Sequence, residues 1–150
     1  MAGTRRLLCT FAALALVFTT GACTGEKETA DPGFAGHWTS DQWGEHYIVV
    51  ENSTVKIIYT HDDGRAMGTL HGATFTGWWT ESPSRRPAAD AGDVEFTVTR
   101  TDAQRTIDGK WRYGTGGTAR ENWDLVWVDA VIPPDIAARF NDAVMFIQHP

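Results

Sequence analysis

Short alternating runs dominate this chain, and they predict a mainly β fold. The expected architecture is a small up-and-down antiparallel β-barrel of about eight strands with a C-terminal α-helix. Three observations carry that expectation. From Gly36 onward the hydrophobic period is two rather than 3.6, as where Val94, Phe96 and Val98 alternate with Glu95, Thr97 and Thr99. Turn-forming residues separate the runs, so that the connections suit antiparallel neighbours. Eight such strands in an open sheet would leave two unpaired edges, which closure removes. A β-sandwich is the alternative that the same pattern allows.

The expected strands lie at 36–39, 45–51, 54–60, 65–70, 74–80, 93–100, 105–112 and 122–128. In the third, Val55, Ile57 and Tyr59 share one face opposite Lys56, Ile58 and Thr60. Glu51-Asn52-Ser53 separates it from the strand before. Asp62-Asp63-Gly64 follows, and an Asp-Gly pair between β-like runs is a hairpin signal. His71-Gly72 punctuates the next pair, after which Phe75, Gly77 and Trp79 line one face. The longest connection, 81–92, contains Ser82-Pro83-Ser84-Arg85-Arg86-Pro87 and reads as a surface loop. Ile107, Gly109 and Trp111 form another inward set, and Trp123, Leu125 and Trp127 the last. Pro133-Pro134-Asp135 then marks a helix start. Ile136, Phe140, Val144 and Ile147 fall on one face of a helix expected over 135–147, which would dock on the barrel.

The segment before the domain carries a different signal. Arg5-Arg6 precedes Leu7 to Phe18, an uncharged apolar run too short to span a bilayer, which takes roughly 20 residues. Thr19-Thr20-Gly21-Ala22 follows, so 1–22 reads as a secretory signal peptide. Gly21-Ala22-Cys23 resembles the lipobox of bacterial lipoproteins, with Thr20 where leucine is usual. That resemblance implies diacylglyceryl attachment at Cys23. No cysteine follows Cys23 in the chain, so an acylated sulfur accounts for it better than a disulfide does. Two acyl chains supply the double signal that stable anchoring requires. Residues 23–35 read as a flexible tether and 36–150 as the domain. The expected location is the extracytoplasmic face of the cell membrane, lipid-anchored, with plain secretion as the alternative.

The barrel layout also has a family echo. Gly36-His37-Trp38 opens the first strand and a helix follows the last, which resembles lipocalins and the wider calycin superfamily. Gly-x-Trp recurs as Gly77-Trp78-Trp79 and Gly109-Lys110-Trp111. The last strand carries no arginine to pack over Trp38, as lipocalins usually have. The resemblance implies a fold; it does not supply a function.

Charge narrows the partners. The chain has 13 Lys and Arg against 19 Asp and Glu, a formal charge of −6. Loss of Arg5 and Arg6 with the signal leaves 11 basic and 19 acidic residues, or −8. That balance excludes a nucleic-acid binder, which shows a basic stripe, and electrostatic adhesion to anionic lipid. The membrane is therefore a partner through the N-terminal lipid alone, with a small ligand or an envelope protein as the soluble partner. The sequence leaves the oligomeric state open.

Seven tryptophans carry most of the remaining information. On alternation Trp79, Trp111, Trp123 and Trp127 point inward, where large aromatics fill a small core. An aromatic-lined cavity or platform for sugar rings or an apolar ligand is the functional reading of the same residues. Trp43, in a loop beside Gly44, and Trp78, facing away from Trp79, are its foremost candidates, with Trp38, Trp79 and Trp111 behind them. Asp41, Gln42, Glu45 and His46 could add hydrogen bonds. His61-Asp62-Asp63 with His71 suggests metal ligation, but both segments read as turns and no metal site is assigned. No serine lies in a nucleophile elbow, and Gly114-Thr115-Gly116-Gly117-Thr118 sits between strands rather than before a helix. No catalytic set and no cofactor are expected. The expected function is a binding module for a small amphiphilic or saccharide ligand. A protein-interaction or inhibitor domain is the alternative, and an envelope hydrolase the third.

Overall fold

A computed structural model describes residues 31–146. The expected signal segment, Cys23, most of the tether and Ile147 lie outside these residues. Eight strands follow in order: β1 (Gly36–Ser40), β2 (Gly44–Glu51), β3 (Thr54–Tyr59), β4 (Gly64–His71), β5 (Thr74–Thr80), β6 (Ala91–Arg100), β7 (Arg105–Trp111) and β8 (Leu125–Asp129). Each pairs antiparallel with the next, and β8 pairs back onto β1, closing a barrel. All eight anticipated runs form strands, and the sheet closes on itself instead of splitting into a sandwich.

The inward positions build one core. Trp38, Ile48, Ile57, Phe75, Phe96 and Ile107 are fully buried, and Trp79, Trp111, Trp123 and Leu125 nearly so. Gly77 and Gly109 are small for packing reasons. A Cβ on Gly77 would strike the Phe75 ring, and one on Gly109 the Phe96 ring. The recurrent Gly-x-Trp therefore places a gap and a large ring two residues apart on the same inner face. Phe75 and Phe96 sit 5.8 Å apart, and Trp123 lies 5.4 Å from Phe96 and 5.1 Å from Tyr59. Ring against ring, the aromatics reach from wall to wall and fill the interior.

Several expectations are corrected by the structure. The packed domain starts before Gly36: Phe34 is fully buried, and the Asp31 carboxylate accepts hydrogen bonds from the N–H groups of Gly33, Phe34 and Ala35. This Asx-type turn folds the end of the expected tether onto the barrel. The C-terminal helix is short. Helix α1 spans Pro134–Arg139, and after a break at Phe140–Asp142 a 3-10 turn covers Ala143–Phe146. Phe140 and Phe146 stack at 5.9 Å and pack over Ile58, whereas Val144 is 73 % exposed. Ile58 is buried on the outer wall because this segment covers it.

The Asp-Gly hairpin is also built differently from the expected turn. Asp62 and Asp63 take the left-handed conformation (φ 44° and 49°), while Gly64 is extended at φ −74° and already pairs in β4. Glycine is required at 64 for space, since a Cβ there would collide with the Tyr59 ring. Trp127 is half-buried and lies under the Arg105 guanidinium, 4.5 Å from its ring centre.

The two barrel ends differ. At one end, tight turns join β2 to β3 through Asn52-Ser53, β4 to β5 through Gly72-Ala73, and β6 to β7 through 101–104. The opposite end bears the longer connections at 41–43, 60–63, 81–90 and 112–124. This end forms the mouth.

Candidate functional site

Four loops converge at the mouth over a polar chain set into the aromatic core. His46 on β2 is fully buried. The Trp123 indole N–H donates to its Nε2 at 2.9 Å, and an indole can only donate. That nitrogen must therefore be bare, and the proton sits on Nδ1, which donates to the Gly44 carbonyl at 2.9 Å. Burial pushes the imidazole down to about 3, so the ring stays neutral. Tyr59 lies flat against it, with ring centres 5.0 Å apart and planes 8° from parallel.

The Tyr59 hydroxyl donates to Glu81 Oε1 at 2.8 Å. Burial, reinforced by Glu81, raises the phenol well above its ordinary value. Glu81 itself, directly after β5, is only 7 % exposed. Burial pushes its carboxyl above the usual range; Asp62 and Asp90 push the same way, and the Tyr59 hydrogen bond and His61 oppose them. Ligand atoms of His61, Asp62 and Glu81 all lie within 4.8 Å of one another. The Ser82 N–H donates to the Asp62 carbonyl at 2.8 Å, tying the 60–63 turn to the 81–90 loop.

Asp63, one residue on, has separate company. Its carboxylate meets Arg85 at 2.5 Å, Arg139 at 2.6 Å and Arg65 at 3.3 Å. Burial works to raise this carboxyl, but the hydrogen bond from Arg139 and the three guanidinium charges hold it below the ordinary value. The hub joins the mouth loops to α1.

Trp43 from the 41–43 loop roofs the cluster. It stacks on Trp123 at 4.9 Å and meets the rings of His61 and Trp111 edge-on at 5.1 and 5.4 Å. Its indole N–H donates to the Asn122 carbonyl at 3.0 Å, and the Asn122 side-chain amide donates to Gln42 at 2.8 Å. Beside it, Ser40, Asp41, Gln42, Glu121, Asn122 and Asp124 border a polar surface groove of about 290 Å³. A second groove, of about 360 Å³, crosses the outer wall of β5–β7, where the Asp93 carboxylate pairs with Arg112 at 3.0 Å.

The sequence candidates therefore separate. Trp43 stands at the mouth, half-buried. Trp78 lies on the outer wall beside Met67, Met145 and Phe146, near the C-terminal segment. Trp38, Trp79 and Trp111 are core residues with their indole N–H groups bonded to the Phe34 carbonyl, the Arg112 carbonyl and Asn122 respectively. His71 ends β4 at the tight-turn end, a full strand away from His61, so the two do not meet. Sequence reasoning missed Glu81, a carboxylate brought to His61-Asp62 by strand pairing across two loops. Its one local signal was its place directly after an inward-facing tryptophan strand.

The fold and mouth together define a closed eight-stranded antiparallel barrel with a filled interior and one elaborated end. No protein-family model, curated protein or solved structure matches this chain.

Proposed function

We propose that this chain is a lipid-anchored extracytoplasmic binding domain that takes a hydroxyl-rich ligand, of the saccharide class, at the mouth of its barrel. The observation that carries this reading is the polar groove beside Trp43. Its hydroxyl, amide and carboxylate groups are the types that hydrogen-bond sugar hydroxyls, and the amides of Gln42 and Asn122 are held in place by each other. The filled interior favours a ligand gripped at the surface over an amphiphile enclosed within. Asp41, Glu121 and Asp124 make the groove acidic, which favours neutral or amino sugars over acidic ones. The Arg5-Arg6 start, the apolar run and Cys23 support export and anchoring.

Titration of the purified protein with neutral and N-acetylated oligosaccharides, read by tryptophan fluorescence, tests this. The expected result is saturable binding that weakens about tenfold or more in Asn122→Ala, roughly the cost of one buried polar contact. Binding that is indifferent to Asn122 and Asp41, or no saturable change with any neutral glycan, would remove the reading.

A further inference from the structure

We propose that His61, Asp62 and Glu81 form a binding site for a single divalent transition-metal ion, zinc or a chemically similar ion, at the barrel mouth. One imidazole nitrogen and two carboxylate oxygens are a mixed donor set suited to such an ion, with a fourth position left for water or a ligand. Tetrahedral donors at about 2.0–2.2 Å from one ion stand about 3.4 Å apart. His61 Nε2 and Asp62 Oδ2 are already 3.5 Å apart, and with all three donors within 4.8 Å, side-chain movements on the order of 1 Å close the set around a cation.

An independent observation is the electrostatic state of Glu81. It is a carboxylate at 7 % exposure, and among the described residues it has no ion pair with lysine or arginine. The ligand atoms that face it within 4.8 Å belong to the His61 imidazole and a second carboxylate, Asp62. A buried charge without a counter-ion is costly. The arginines close by do not relieve it: Arg65, Arg85 and Arg139 all converge on Asp63, which stands 49 % exposed. Three guanidinium groups thus serve one half-exposed carboxylate while the buried one beside them has none. A bound dication supplies the missing positive charge.

The surroundings fit a ligand set held in place from behind. The Tyr59 hydroxyl orients Glu81 through Oε1, and outer-shell hydrogen bonds of that kind position metal-bound carboxylates. The Ser82 to Asp62 backbone bond fixes the distance between the two contributing loops. His61 and Asp62 remain partly exposed, which gives an ion a way in. This site stands apart from the saccharide reading, since it uses different residues and requires no glycan.

The test is calorimetric titration of the metal-free full chain with zinc chloride and then cobalt chloride, followed in parallel by tryptophan fluorescence. Trp43, 5.1 Å from the His61 ring, is the expected reporter. One ion per chain should bind, with affinity falling about tenfold or more in Glu81→Gln and in His61→Ala, while His71→Ala at the far end leaves it unchanged. Glu81→Gln keeps the side-chain shape and a carbonyl for Tyr59. If that variant melts early, Asp62→Asn at the exposed position carries the same expectation. No binding, or binding equal in all these variants, or binding lost with His71, would overturn the proposal.

Discussion

At the scale of single residues, His46 shows how burial turns a common ionisable group into a pH sensor of stability. The folded chain refuses a proton on this ring down to about pH 3, whereas an unfolded histidine accepts one near 6.5. Stability is therefore fully present above pH 6.5 and falls as the pH drops from there, by about 1.4 kcal/mol per unit until the folded group titrates. Glu81 acts with the opposite sign, because its raised carboxyl takes a proton in the folded state first and favours that state as acid is added. Denaturant unfolding of the native protein and of His46→Gln between pH 7 and 4 separates the two. The native curve should fall more steeply, and parallel curves would count against the assignment. Residue-level alternation was enough to place Trp79, Trp111 and Trp123 indoors. It could not reach Phe34 or Glu81, since Phe34 is buried by a side-chain turn at Asp31 and Glu81 by a loop from another hairpin.

Elements were legible in the sequence where a repeating pattern specified them and less so where one local break decided. The strand runs alternate over five to ten residues, so their existence survives small errors at the ends. The C-terminal helix rested on four apolar positions, and the chain leaves helical geometry after Phe140, bringing Phe146 under Phe140 and turning Val144 out to solvent. Asn141-Asp142 at that break favours turn over helix continuation, because short polar side chains compete with the helical backbone bonds; the Asp142 carboxylate accepts from the Val144 N–H at 3.0 Å. The docked segment covers Ile58 with two phenylalanines and one ion pair from Arg139 to Asp63. Phe140→Ala should undock it, since losing a buried phenylalanine costs about 3–5 kcal/mol at a site that cannot close up. Hydrogen exchange is the direct readout: protection should vanish over 134–146 and persist in β5–β7. Loss of protection throughout would mean that the segment is integral to the barrel, whereas an unchanged 134–146 would mean that Phe140 does not hold it.

At the scale of the whole molecule, strand direction decides which way the site faces. β1 starts at the tight-turn end and runs toward the mouth, so the chain enters the barrel at the pole opposite His46, Glu81 and Trp43. A lipid on Cys23 would sit at most about 28 Å of extended chain from Asp31, and the acidic surface resists lying flat on anionic headgroups. On the proposed anchoring through Cys23, the domain should therefore stand with its tight turns toward the bilayer and its mouth toward the solvent, free for a ligand. With Cys9 removed in the proposed signal cleavage and Cys23 acylated, no other cysteine remains, so single labels can be introduced without background. A fluorophore at Ser53→Cys in the β2–β3 turn should transfer energy to an acceptor in the membrane surface more efficiently than one at Thr115→Cys beside the mouth. Cys23→Ala should abolish both signals by releasing the protein. Equal transfer from the two positions would show that the domain tumbles on its tether. Stronger transfer from Thr115 would place the mouth against the lipid and make the bilayer itself the first candidate for what the mouth contacts.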